Sequence, residues 1–297
     1  MLGNHSKEEL SFNLNYFIFT IYCYIIYYIL WKRRTNMSDI LKLSVSKSKT
    51  FIDCKRKYKF AYVLKLPRKE FTFHTYGKFA HKILEDFHNI YIRGCEEPYH
   101  ITMTKVFKDS IEQYKEKLTP EMIKECKETF INYLKILSDQ KKNNNLSNVI
   151  ACEKEFNLNI DNKVLLNGMI DRVQIDPDGI IHVGDYKTVK NKKYLKEDFF
   201  QLLTYAYIML SEDPSIEKVR ASYILLRHDF EYITKEFSKE EILKIKDKYL
   251  AYADQILTEE NYQSNPTPLC NYCDWLSLCQ DGMQKVNFNL KFGEVSW

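Results

Sequence analysis

Residues 150–187 constrain the fold more tightly than any other part of the chain. Three short apolar-rich runs, 150–158, 164–175 and 180–187, are separated by turn signals at Asp161-Asn162 and Asp176-Pro177-Asp178-Gly179. Runs of this length between such turns read as strands, because Asp, Asn and Gly supply the backbone conformations that a tight reversal needs. The pattern predicts a three-stranded antiparallel meander. After it come a helix over 197–211, a strand over 219–227 (VRASYILLR), a pairing partner at 230–237 and a charged amphipathic helix over 239–260.

Ahead of the meander the texture is helical. In 76–93, Phe79, Ile83, Phe87 and Ile90 share a stripe with Ala80, Leu84 and Tyr91. Residues 102–140 read as two helices broken near Thr119-Pro120, and KKNNNLSN (141–148) as a polar loop. Serines 44, 46 and 48 precede FIDCKRKYKFAYVLKL and predict a helix N-cap near Ser46 or Ser48. This order describes an α/β fold: a mixed sheet core flanked by helices, with a helical lobe at about 95–148 inserted before the sheet. With 297 residues, 45% of them hydrophobic and 28% charged, the chain is globular rather than disordered.

The chemistry concentrates on the meander. Asp171 lies in GMIDR (168–172), and Asp185 and Lys187 lie in GDYKT (184–188). Strand side chains alternate faces, so Asp185 and Lys187 point one way and Tyr186 the other. The turn at 176–179 makes the two strands neighbours and brings Asp171 and Asp185 to the same end of the hairpin. Two carboxylates at one sheet rim repel unless a cation lies between them, and Mg²⁺ suits such hard oxygen donors. A lysine beside them can orient or polarise an attacking water. Singly, each has a plainer reading as a surface ion pair; their joint placement carries the argument. His81 flanks the apolar stripe of its helix and can face the sheet rim, with Glu85 one turn on. His88 is read as a structural histidine. Gln201 and Tyr205, spaced i, i+4, can reach the same rim. In ACEKEF, Glu153 is preferred over Glu155 as a further metal-facing group.

Net charge is only +4, but residues 47–69 carry nine Lys or Arg against the single acid Asp53. A solvated helix face is one reading. The position beside Cys54 favours contact with a phosphate backbone through Lys55, Arg56, Lys57 and Lys59. Cys270, Cys273 and Cys279 form C-x2-C-x5-C near the end of the chain. With no cleavable secretory signal before them, metal or cluster binding is favoured over a disulfide framework. Cys23, Cys95, Cys126 and Cys152 show no ligand spacing, and each reads as a small buried residue rather than a ligand.

Taken in order, SVSKSKTFIDCKRKYKFAYVLKL, YGKFAHKILEDFH, GMIDRV, GDYKT, QLLTYAY and CNYCDWLSLC resemble the RecB-like branch of the PD-(D/E)XK nuclease superfamily. The nearest likeness is to its iron–sulfur, CRISPR-associated and AddB-type members. The stretches span residues 44–279. The resemblance implies a restriction-endonuclease-like fold and a DNA nuclease, an exonuclease being favoured over an endonuclease, in recombination, repair or genome processing. It implies Mg²⁺ or Mn²⁺ on His81, Asp171, Asp185 and the Tyr186 carbonyl. Lys187 would be the catalytic lysine, with Gln201 and Tyr205 in support. It also implies a 4Fe–4S cluster on Cys54, Cys270, Cys273 and Cys279, stapling the two ends of the domain, with zinc as the alternative. Ile170 stands where the superfamily name expects proline, and Lys55 follows Cys54 where proline is usual; neither is a proposed ligand. No G-x-x-x-x-G-K-[ST] motif is present, so unwinding would fall to a helicase partner. A non-catalytic nucleic-acid-binding iron–sulfur protein of the same fold is the competing reading, opposed by the joint presence of His81, Asp171, Asp185 and Lys187.

Residues 16–31 (YFIFTIYCYIIYYILW) are apolar and precede Lys32-Arg33-Arg34. Sixteen residues fall short of the roughly 20 that cross a bilayer. Met37-Ser38-Asp39 reads as an ordinary cytosolic start. The expected division is an extension at 1–36 outside the working protein, a nuclease core at 37–262 and a cysteine-rich segment at 263–297. A cytoplasmic location without a membrane partner is preferred; a membrane anchor through 16–31 is the alternative.

Overall fold

The computed structural model describes residues 40–69, 72–195 and 198–292; the apolar run 16–31, Cys23 and the Met37 start lie outside these. The meander forms as expected. β2 (Asn148–Ile160), β3 (Val164–Ile175) and β4 (Ile181–Lys187) pair antiparallel in sequence order. Asp161 and Asn162 reverse the chain with φ of 50° and 55°, the left-handed backbone that tight hairpins need. Gly179 does so at the next turn with φ of 83°. β5 (Lys218–Leu225) joins β4 in parallel, and β6 (Glu231–Ser238) returns antiparallel. β1 (Leu41–Leu43), which the sequence pattern did not reveal, pairs with β3. The result is a mixed six-stranded sheet.

Among the described residues, five helices precede β2. α1 (Val45–Asp53) and α2 (Lys55–Tyr58), which runs on into a π turn at Lys59–Val63, follow β1. α3 (Thr72–Ile92), α4 (Tyr99–Tyr114) and α5 (Pro120–Lys142) form the helical lobe. α5 starts where the sequence indicates: Thr119 accepts the Met122 N–H at 3.3 Å and Pro120 occupies the first turn. α1 starts earlier than expected. Ser44, not Ser46 or Ser48, accepts the Lys47 N–H (3.2 Å). An N-cap needs extended backbone, and Ser44 has it (φ −134°, ψ 167°) because β1 ends there.

On one face of the sheet, Tyr186 and Ile224 pack with Phe79, Ile83 and Phe87 of α3 and with Phe130 and Tyr133 of α5. Phe230 stacks on Tyr133 with ring centroids 4.3 Å apart. His88 is buried there and bonds to the Tyr133 hydroxyl at 2.7 Å, as a structural histidine should. The face carrying Asp185 receives α6 (Phe200–Glu212), which buries Leu202, Tyr205 and Ala206 and packs on α7 (Lys239–Thr258). α8 (Gln280–Phe292) closes the described chain. Among the described residues no helix is long and apolar enough to cross a membrane.

A buried chain, Asp176 to His182 (2.9 Å) to Ser222 (2.6 Å), ties the β3–β4 turn to β5. It has the order of a nucleophilic triad, but Ser222 is 0% exposed, so no substrate can meet its hydroxyl.

One glycine holds the approach to the site. A Cβ on Gly168 would lie 2.7 Å from the tip of the Phe156 ring, its cross-strand partner. That ring in turn packs edge-on against Tyr205. Gly168→Ala should therefore displace a buried aromatic and cost about 1–3 kcal/mol. Urea unfolding should show a lower midpoint at an unchanged m-value.

Candidate active site

The apolar stripe of α3 fixes that helix on the sheet, which leaves a polar stripe facing outward. His74, Gly77, Lys78, His81, Lys82 and Glu85 follow one another at helical spacing along a groove of about 620 Å³. Glu153 and Thr188 line its other wall. His81 Nε2 lies 3.3 Å from the Tyr186 carbonyl oxygen, and its Nδ1 lies 3.6 Å from both Glu153 Oε1 and Asp171 Oδ2. One ligand atom each from His81, Glu153 and Asp171 falls within 4.8 Å of the others. Asp171 is also fixed by the Tyr186 backbone N–H, which donates to Oδ2 at 2.8 Å.

Glu153 reaches this group through an unusual backbone. Cys152 pairs with Arg172 and Lys154 with Ile170, which sets Glu153 opposite Asp171. Its φ is 45°, rare for a residue with a side chain. Strain of this kind persists where surrounding structure holds a side chain to a task. Glu155, two residues on, is exposed and pairs with Met169 instead.

Asp185 stands beside this triad and is turned to a second set of partners. Gln201 Nε2 donates to its Oδ1 at 2.5 Å. Lys187 Nζ lies 2.5 Å from its Oδ2 in an ion pair that lacks hydrogen-bond geometry, so that buried oxygen keeps its acceptor capacity. Lys187 donates to Gln201 Oε1 at 3.3 Å, and Gln201 donates to the Tyr205 hydroxyl at 2.8 Å. α6 is aimed by its own start: Asp198 accepts the Phe200 N–H (3.3 Å) and pairs with Lys49 of α1 (2.6 Å). Sequence reading missed Tyr223, whose ring lies 5.2 Å from Lys187 Nζ. The parallel register of β4 and β5 sets Tyr223 beside Asp185, and only that long-range pairing could have flagged it.

The electrostatics are those of a crowded anion site. Burial raises the Asp171 pKa, Asp185 and Glu153 add to the rise, and His81 and the Tyr186 N–H oppose it. Burial alone would lower the His81 pKa; the Glu153, Asp171 and Asp185 carboxylates outweigh it, and the pKa is raised. Burial, then Asp185 and Asp171, holds the Tyr205 phenol well above its ordinary pKa, so it stays protonated. A divalent cation relieves such crowding, and the carboxylates with the His81 imidazole are donors such a cation accepts.

The sequence profile of the PD-(D/E)XK nuclease superfamily matches residues 42–280. The chain belongs to the PD-(D/E)XK nuclease superfamily. Among curated proteins it is similar to an ATP-dependent helicase/deoxyribonuclease subunit from Streptococcus agalactiae serotype III, at 26% identity over 72% of this chain and 20% of the relative. The serotype Ia protein of the same name is 27% identical over 63% of this chain and 18% of the relative. The chain thus spans about a fifth of the length of these relatives. Among solved structures it is similar to a candidate exonuclease from Eubacterium rectale, at 13% identity, with a TM-score of 0.47 and coverage of 79% of this chain and 88% of that one.

This superfamily member carries a second constellation away from the rim. Cys54, at the break between α1 and α2, and Cys270, Cys273 and Cys279 line one cavity of about 30 Å³ with Lys57, Phe60 and Leu276. No carboxylate is among its described lining residues. Among the described residues no three of these sulfurs lie within 4.8 Å of one another. An all-thiol donor set of four is one that a closed zinc site or an iron–sulfur cluster can use. Burial raises the Cys273 thiol pKa, offset by the Trp275 N–H and Lys57. Cys126 is fully buried in the lobe, and Cys95 and Cys152 are half-buried.

The basic residues after Cys54 face the C-terminal segment. Lys55 pairs with Glu259, Arg56 Nε donates to the Tyr262 carbonyl (3.0 Å), and Lys59 lies 5.2 Å from the Tyr262 ring. Lys57 lies at the cysteine cavity.

Proposed function

We propose that this protein is a divalent-metal-dependent deoxyribonuclease that hydrolyses phosphodiester bonds, acting as an exonuclease in recombination, repair or genome processing. One observation carries the reading: His81, Glu153 and Asp171 converge at the sheet rim where Asp185 and Gln201 hold Lys187. Mg²⁺ or Mn²⁺ would be held by His81, Glu153, Asp171, Asp185 and the Tyr186 carbonyl. Bound there, the metal supplies Lewis-acid activation of water and of the phosphate.

The chain's own groups do the rest. Lys187 presents its ammonium group toward the reacting phosphate and can donate to the attacking water or to a phosphate oxygen as charge builds. Asp185, Gln201 and the face of Tyr223 hold that ammonium group in place. Tyr205 fixes the Gln201 amide. Cys54, Cys270, Cys273 and Cys279 would hold a 4Fe–4S cluster that joins the start of the domain to its end. A helicase partner is part of this reading, on the strength of the relatives' name. A site working on DNA beside reduced thiols belongs in the cytoplasm.

The test is cleavage of end-labelled single- and double-stranded DNA with Mg²⁺ or Mn²⁺. Cleavage should stop on adding EDTA and return with excess metal. A protein that binds DNA and cuts it under none of these conditions is the non-catalytic alternative.

A further inference from the structure

The groove that carries His81 continues past Gly77 into a second cavity of about 400 Å³; the two share His74, Lys78 and Tyr114. Gly77 lies against Thr188, with Thr188 Oγ1 3.4 Å from where a Cβ would stand. Four cations line the second cavity: Arg68 and Lys69 from the loop before α3, Lys78 from α3, and Lys117 from the turn after α4. The one carboxylate among its lining residues, Asp274, accepts the Lys69 backbone N–H at 3.3 Å.

Among the described residues, none of the four cations is in an ion pair. Three other lysines of the lobe do carry a counter-charge, among them Lys82 and Lys105. Lys82 pairs with Glu85 and Asp86, and Lys105 with Glu97. Arg68 lies over the rings of Tyr62 and Trp275, at 5.5 and 5.9 Å, which limits its freedom before any ligand arrives. Four cations gathered from three separate elements around a single carboxylate repel one another, and a bound anion reverses that cost. The opposite end of the groove is lined by Glu85, with Lys82 already neutralised.

We propose that this cavity is a phosphate subsite for the DNA strand, and that it grips the backbone on one side of the scissile bond only. The proposal rests on the nuclease reading above. A strand seated at His81 would run past Gly77 toward Lys78, Lys69 and Lys117. Toward Glu85 it would meet repulsion.

The test is anisotropy binding of a fluorescein-labelled oligothymidylate to the full chain in EDTA, titrated with salt. Lys69→Gln/Lys117→Gln should make the logarithmic salt slope shallower by about 1.4, at about 0.7 per phosphate on a single strand. Lys105→Gln/Lys244→Gln carries the same charge change and should keep the parental slope. Methylphosphonate placed at single positions should weaken binding on one side of the cleaved bond only. An unchanged slope, an equal effect of the control pair, or equal methylphosphonate effects on both sides overturns the subsite. A parent protein that cuts the strand with neither Mg²⁺ nor Mn²⁺ overturns the nuclease reading separately, because the slopes are read without cleavage.

Discussion

Asp171→Asn should remove nuclease activity and, in metal-free buffer, raise the thermal midpoint. Asp171 is 9% exposed and faces Glu153 and Asp185, so its charge is held where water cannot screen it. Its folded-state pKa lies above the unfolded value. The folded chain therefore binds that proton more tightly than the unfolded chain does. The resulting penalty is absent below the unfolded pKa near ~3.9 and complete above the folded one. Metal-free parent protein should accordingly lose stability as pH rises through that interval, and the variant should lose less. Asn still offers an oxygen to the Tyr186 N–H, which keeps the strand contact. Recovered stability reads as about 2–4 °C per kcal/mol in a domain of this size. Mn²⁺ should raise the parent midpoint more than the variant's, by linkage to binding. Cleavage should fall by on the order of a hundredfold or more, the loss expected when one charge-stabilising group is removed. Lys187→Ala should lose activity to a similar degree without the gain in stability, since it removes a counter-charge. Parental cleavage by purified Asp171→Asn protein would sink the assignment.

These residues were legible in the sequence because local chemistry fixes their strands. Asp171, Asp185 and Lys187 sit on strands whose boundaries are set by local turn chemistry at Asp161-Asn162 and at 176–179. Strand parity then assigns their faces without further knowledge. Glu153 was harder. Glu153 and Glu155 share parity, and the left-handed backbone that turns Glu153 to the site depends on its neighbours across the sheet. Tyr223 depends on a parallel pairing between strands separated by α6. β1 has three residues, too few for alternation to show. The helix cap moved to Ser44 because β1 fixes the extended backbone there. A basic run cannot disclose its partner from composition: Lys55 and Arg56 reach Glu259 and Tyr262, near the far end of the chain. Local rules placed the elements, and long-range pairing decided which side chains meet.

Cys54→Ala should give a colourless protein of lower stability, whereas anaerobically purified parent should be brown with about four irons per chain. Cys54 lines the cysteine cavity with Cys270, Cys273 and Cys279, and is the one member from the first part of the domain. A cluster bonded to all four closes a loop of about 200 residues, and a covalent link of that span removes unfolded-chain entropy worth on the order of 5 kcal/mol. The measured loss should be smaller, because the segment is also held by ordinary contacts. Asn265 donates to the Asp53 carbonyl (2.9 Å), Arg56 to that of Tyr262 (3.0 Å), and the Trp275 indole to that of Pro67 (3.0 Å). The variant should therefore stay folded by circular dichroism while its midpoint falls. Cys126→Ala serves as the control. That thiol is buried among lobe residues, and burial pushes its pKa far above the ordinary thiol range. It should keep the colour and lose only the small packing contribution of one sulfur. Parent protein purified without oxygen that is colourless and holds one zinc per chain would replace the iron–sulfur assignment with a tetrahedral zinc site.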